Sequence, residues 1–153
     1  MNIVKGKLSG SGKRAAIVMS RRNEQVSSRL LEGALSELER NGLLEENITV
    51  YEVPGSWEIS AIVEKIPDSS FDMIICLGAV IRGETPHFEF VSAQSARTIA
   101  QQGITKEVPV SFGVITADTL DQALERSGGK GGNKGEEAAR TALEMSDMYL
   151  KIK

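Results

Sequence analysis

The chain has 153 residues, 41% of them hydrophobic and 25% charged, which suits one soluble globular domain with a core of its own. A formal net charge of −3 offers no attraction for nucleic acid or an anionic membrane, and no apolar run reaches the roughly 20 residues that cross a bilayer. One cysteine, Cys76, and one histidine, His87, exclude an internal disulfide and the usual zinc sites, and the N-terminus lacks the apolar core of a secretory signal, so a reduced, cytoplasmic chain without structural metal is expected.

Residues 1–10 fit no crossover and read as an edge segment, in its own sheet or added to a neighbouring subunit's. Residues 15–19 form the first continuous apolar run. Val26, Leu30, Ala34, Leu35 and Leu38 then recur at helical spacing until Asn41-Gly42, a natural stop. A second strand is expected at 48–53, and a short helix at 56–65 closed by Pro67. The third strand spans 73–81, and a helix begins at Thr85-Pro86 with Thr85 as cap and Pro86 as first residue. After a fourth strand at 108–116, Asp118 is placed to cap another helix, and the last helix covers roughly 136–150. Continuous rather than alternating apolar runs suit strands buried on both faces of a parallel sheet. The expected fold is a three-layer α/β/α sandwich of the flavodoxin-like type, with a four-stranded parallel sheet plus the N-terminal edge segment. One domain is expected over 1–153.

Ligands of such folds bind beyond the carboxyl ends of the strands. The loops there are 20–23, 54–58, 82–87 and 116–118. In Arg82-Gly83-Glu84-Thr85-Pro86-His87 a strand runs into a helix start, whose free amides and positive dipole end favour an anion, phosphate above all. His87 falls in the first turn, where an added cation is disfavoured, which suits a group that takes or delivers a proton. A surface or core histidine with a satisfied hydrogen bond is the alternative. In Ser56-Trp57-Glu58, Glu58 suits sugar-like hydroxyls and Trp57 offers a flat face, although a lone tryptophan equally fills a core or interface. Phe112 and Cys76 read first as strand residues of the core.

The glycine-rich stretch 126–135 resembles a phosphate loop, but Asn133 precedes Lys134 and Gly135 follows it, so no hydroxyl is placed for magnesium and the NTPase reading fails. It also joins two helices. Arg126 and Lys134 flank it as a guanidinium clamp and a point charge for a phosphorylated substrate. A receiver-domain reading lacks the acidic cluster at the first strand's end, where Ser20, Arg21 and Arg22 stand.

Taken together, residues 53–59, 77–88, 109–116, 122–126 and 132–139 resemble the lumazine synthase family nearly end to end. The resemblance implies a transferase of riboflavin biosynthesis. It would condense 5-amino-6-(D-ribitylamino)uracil with 3,4-dihydroxy-2-butanone 4-phosphate without metal or organic cofactor. It implies His87 as the proton-transfer residue and Glu84, Thr85 and Arg126 as phosphate-binding positions, with Lys134 near the reacting centre. Ser56, Trp57, Glu58, Ala79, Val80, Ile81 and Phe112 resemble the ribitylaminouracil pocket. The chain departs from the family at Arg22, where an aromatic normally stacks on the pyrimidine, and at Ser60, commonly proline. A guanidinium also stacks on flat rings. The resemblance further implies a homopentamer whose adjacent subunits complete each site, pentamers alone or joined in an icosahedral shell, with riboflavin synthase as a partner or cargo. The rival from another class is a non-catalytic flavin- or ribityl-binding or shell-forming protein on the same scaffold, which Arg22 keeps open.

Overall fold

The computed structural model describes residues 1–152. Four parallel strands, β1 (Ala15–Ser20), β2 (Ile48–Val53), β3 (Met73–Ile81) and β4 (Val110–Ala117), form one sheet in the order β2-β1-β3-β4. β1 is buried throughout and β3 at all but its last residue, which is why both read as unbroken apolar runs. β2 and β4 are the edges and keep exposed positions.

Helices α1 (Glu24–Arg40), α2 (Ile59–Lys65), α3 (His87–Thr105), α4 (Leu120–Glu125) and α5 (Lys134–Ile152) cover the sheet. Side chains of a strand alternate between faces, so β1 and β3 feed two cores. Ile17, Ile75 and Leu77 pack with Leu30 and Leu38 of α1 and Leu143 of α5. Val18, Ile74 and Cys76 pack on the other face with Ile59 and Val63 of α2 and Ile99 of α3. The result is the three-layer, flavodoxin-like sandwich. The chain leaves β1 for β2 on one side and returns to β3 on the other, so a crevice opens where the order reverses.

Several local expectations change. α3 begins at His87 without a capping side chain; Pro86 stands at the cap position, and its carbonyl accepts from Glu89 N–H at 3.0 Å. Proline's fixed φ starts the turn, so Thr85 is left free. α4 is capped by Thr119, whose hydroxyl accepts from Gln122 N–H at 3.2 Å, because the Asp118 carboxylate is taken by Arg82 Nε at 2.7 Å. The glycine-rich break contains a small antiparallel hairpin, β5 (Ser127–Gly129) with β6 (Gly132–Asn133). Residues 1–9 form no strand within the chain. They meet α5 instead, where Lys7 N–H donates to Asp147 Oδ2 at 2.6 Å.

Candidate active site

A pocket of about 660 Å³ lies at the carboxyl ends of β1 and β3. Three stretches and a rim build it. A single 3-10 turn after β2, Ser56–Glu58, supplies one wall with Gly55. Ala79, Val80 and Ile81, the end of β3, form the floor. Gly83, Thr85 and His87 with Phe88, Phe90 and Val91 supply the opposite wall, from the loop into α3. Arg22 and Asn23 close the rim.

Local chemistry explains each wall. Asn23 adopts a left-handed φ of 59°, which asparagine tolerates better than most residues, and its Nδ2 donates to the Ala79 carbonyl at 3.3 Å. That bond ties the exit of β1 to the exit of β3. Beneath the Ser56 turn lies Gly78, where a Cβ would stand 2.6 Å from Ser20 Oγ and 2.8 Å from Ser56 Oγ. Only glycine lets the turn settle onto the sheet there. Above Gly55 the Arg22 guanidinium and the Glu58 carboxylate converge, since a Cβ would lie 3.9 Å from Arg22 Cζ and 3.2 Å from Glu58 Oε2.

The arrangement offers three kinds of contact. Trp57 and Phe90, 57% and 69% exposed, present apolar faces to a flat ring. Glu58 offers a carboxylate acceptor for a polyol, above an apolar floor. His87 is the first residue of the 19-residue α3, whose positive end favours an anion within the first turn. Cys76 takes no part: it is fully buried, and burial pushes its thiol up to about 12.

Of the residues singled out from the sequence, Arg22, Ser56, Trp57 and Glu58 line the pocket. So do Ala79, Val80, Ile81, Thr85 and His87. Glu84 lies between two lining residues but is itself exposed outside the lining. Phe112 sits on the edge strand β4, 47% exposed, and does not line this chain's pocket. Arg126 follows α4 and donates from Nη1 to the Gln122 carbonyl at 3.1 Å, and Lys134 pairs with Glu137 at 3.2 Å. Neither cation reaches the pocket within one chain.

Asn23, Phe88, Phe90 and Val91 were not singled out from the sequence. The signal for two of them was there: His87, Phe90 and Val91 stand three and four residues apart, on one helical face. Asn133, by contrast, is the cap of α5. Its Oδ1 accepts from Gly135 N–H at 2.8 Å and Glu136 N–H at 3.1 Å. Gly135 then fits against the Leu30 carbonyl of α1, where a Cβ would collide.

Among the described residues, no group of three or more His, Cys, Asp or Glu side chains is placed to hold a metal ion, and no helix is long and apolar enough to cross a membrane. A family model described as 6,7-dimethyl-8-ribityllumazine synthase matches residues 12–149.

Proposed function

The chain belongs to the 6,7-dimethyl-8-ribityllumazine synthase family, and from that premise we propose that it condenses 5-amino-6-(D-ribitylamino)uracil with 3,4-dihydroxy-2-butanone 4-phosphate. Membership supports a transferase role in riboflavin biosynthesis. The observation that carries the specific reaction is His87 opening α3 across one pocket from Ser56, Trp57 and Glu58.

In this reading the ribityl chain and uracil lie along Ser56–Glu58 and the end of β3, and the phosphate lies at the start of α3. The 5-amino nitrogen attacks the ketone carbon and water leaves, giving an imine. A proton comes off the adjacent carbon to His87, and the carbon–oxygen bond to phosphate breaks, releasing phosphate and leaving an enol. Protonation of the enol's terminal carbon gives a ketone. The ribitylamino nitrogen attacks that ketone, a second water leaves, and the ring closes. The protein supplies orientation and proton transfer, and positioning alone is worth up to roughly 7–11 kcal/mol of barrier in favourable cases.

A phosphate-bearing substrate also calls for a cation, and within one chain neither Arg126 nor Lys134 is near. We propose that an adjacent copy in a homopentamer supplies Arg126, Lys134 and Phe112. The rival reading, a non-catalytic ribityl- or flavin-binding protein, is favoured by one observation: Arg22 lies on the pocket rim, at the position where the resemblance implies an aromatic. The test mixes purified protein with both substrates and follows lumazine absorbance. Turnover above the spontaneous rate, lost on His87→Ala with little change in KM for the phosphate substrate, is expected. A folded assembly with no rate above background would leave the binder reading standing.

A further inference from the structure

We propose that Arg82 is a positioning residue of this site, holding the first turn of α3 so that His87 stays over the pocket. The inference rests on the function proposed above. Arg82 follows the last residue of β3, and its N–H donates to the Ala117 carbonyl at 2.9 Å, anchoring it to the end of β4. Its side chain then reaches three groups. Nε donates to Asp118 Oδ1 at 2.7 Å, and Nη1 donates to Glu89 Oε1 at 3.3 Å. The guanidinium carbon lies 4.5 Å from the centre of the Phe88 ring.

Phe88 and Glu89 are the two residues directly after His87, so one guanidinium grips the turn that carries the imidazole and ties it to the end of the neighbouring strand β4. The turn needs such a tie. Residues 82–87 are exposed, a Cβ on Gly83 would meet nothing, and α3 has no capping side chain. Arginine suits the task because its rigid fork bonds two carboxylates in different directions while its flat face rests on a ring. Each exposed pair alone contributes little to stability. Their joint effect is geometric, and a displacement of about 1 Å at a catalytic group is enough for a roughly 100-fold loss of rate.

The test compares Arg82→Gln, Arg82→Lys and Asp118→Asn with the wild-type protein. Arg82→Gln is expected to lower kcat roughly 10- to 100-fold. KM for the ribitylaminouracil stays near wild type, because the Arg82 side chain bonds Asp118 and Glu89 rather than Ser56–Glu58. Arg82→Lys recovers part of the loss. Asp118→Asn loses less than Arg82→Gln, and the double variant is no worse than Arg82→Gln alone, the mark of a shared contact. Equal losses in kcat and both KM values, or additive losses, overturn the proposal. Amide hydrogen exchange provides a readout that needs no turnover: Arg82→Gln should speed exchange over residues 83–90 while β1 and β3 stay protected. Wild-type-like exchange there overturns the positioning role even if the enzyme is active. Absent turnover in the wild type sinks the enzyme reading instead and leaves exchange to decide. If Arg82→Gln fails to fold, the Arg82→Lys and Asp118→Asn measurements decide in the same way.

Discussion

Asn133→Ala removes three hydrogen bonds at one point: the cap bonds from Gly135 and Glu136 N–H, and the bond from Asn133 Nδ2 to the Arg29 carbonyl at 3.1 Å. Loss of a helix cap destabilises by roughly 1 kcal/mol. The bond to α1 adds roughly another 1 kcal/mol, the net worth of an ordinary hydrogen bond, since the Arg29 carbonyl keeps its helical donor. Together these give about 2 kcal/mol, which for a chain of this size lowers the unfolding midpoint by about 4–8 °C. Asn133→Asp keeps the accepting oxygen and loses only the donor to Arg29, so it should fall by about half as much. Thermal unfolding of the three proteins at one protomer concentration measures this, because association itself shifts the midpoint. Activity per folded site should change little, since the Asn133 side chain is taken up by bonds to Arg29, Gly135 and Glu136. A midpoint within about 1 °C of wild type, or a large loss of activity at an unchanged midpoint, would refute the cap and move Asn133 into the site.

Acid should weaken the fold in a way that can be traced to Glu37. Its carboxylate is 2% exposed, and although burial pushes its pKa up, hydrogen bonds from Arg140 and Asn41 and the charges of Arg140 and Arg40 hold it below the ordinary value. Hydrogen bonds from Lys106 and Lys151 likewise hold Asp68 and Asp147 low. A depressed folded pKa stabilises above the unfolded value, about 4, and that stabilisation disappears as pH falls through the folded value. Glu37→Gln is therefore expected to be roughly 1–2 kcal/mol less stable at neutral pH, a modest figure because both arginines are half exposed. The gap should narrow as pH falls below the ordinary carboxylate range, about 4, in midpoints measured across pH; a gap independent of pH contradicts the pairing. Arg22→Phe should tighten a ribitylaminouracil analogue roughly 2- to 10-fold by calorimetry, by giving its ring an aromatic partner. No tightening would mean that the guanidinium stacks as well as the ring does.

The sheet was legible because its two central strands are buried on both faces, which leaves an apolar run with no alternation to misread. Helix starts were less so. Asp118 and Thr119 are adjacent candidates for one cap, and only the third-dimension contact with Arg82 decides between them. The hairpin at 127–133 was hidden for a related reason: its glycines at 128 and 132 take positive φ, a conformation that composition permits without announcing. In the site, Ser56–Glu58 and His87 were readable from strand ends and a helix start. Asn23 was not, because its role is a left-handed backbone and a bond to Ala79 rather than a chemical motif. Phe112, Arg126 and Lys134, to which the resemblance gives roles, stand on an edge strand and beyond it, outside the pocket of their own chain.

Mixing complementary variants tests the shared enzyme site most directly. His87→Ala and Arg126→Ala, each inactive or nearly so alone, are unfolded and co-assembled in equal amounts. If every site takes His87 from one chain and Arg126 from its neighbour, random assembly leaves roughly a quarter of the sites with both groups intact. Recovery of roughly a quarter of the wild-type rate of lumazine formation is the predicted result. A mixture no more active than the mean of the two separate variants would contradict it.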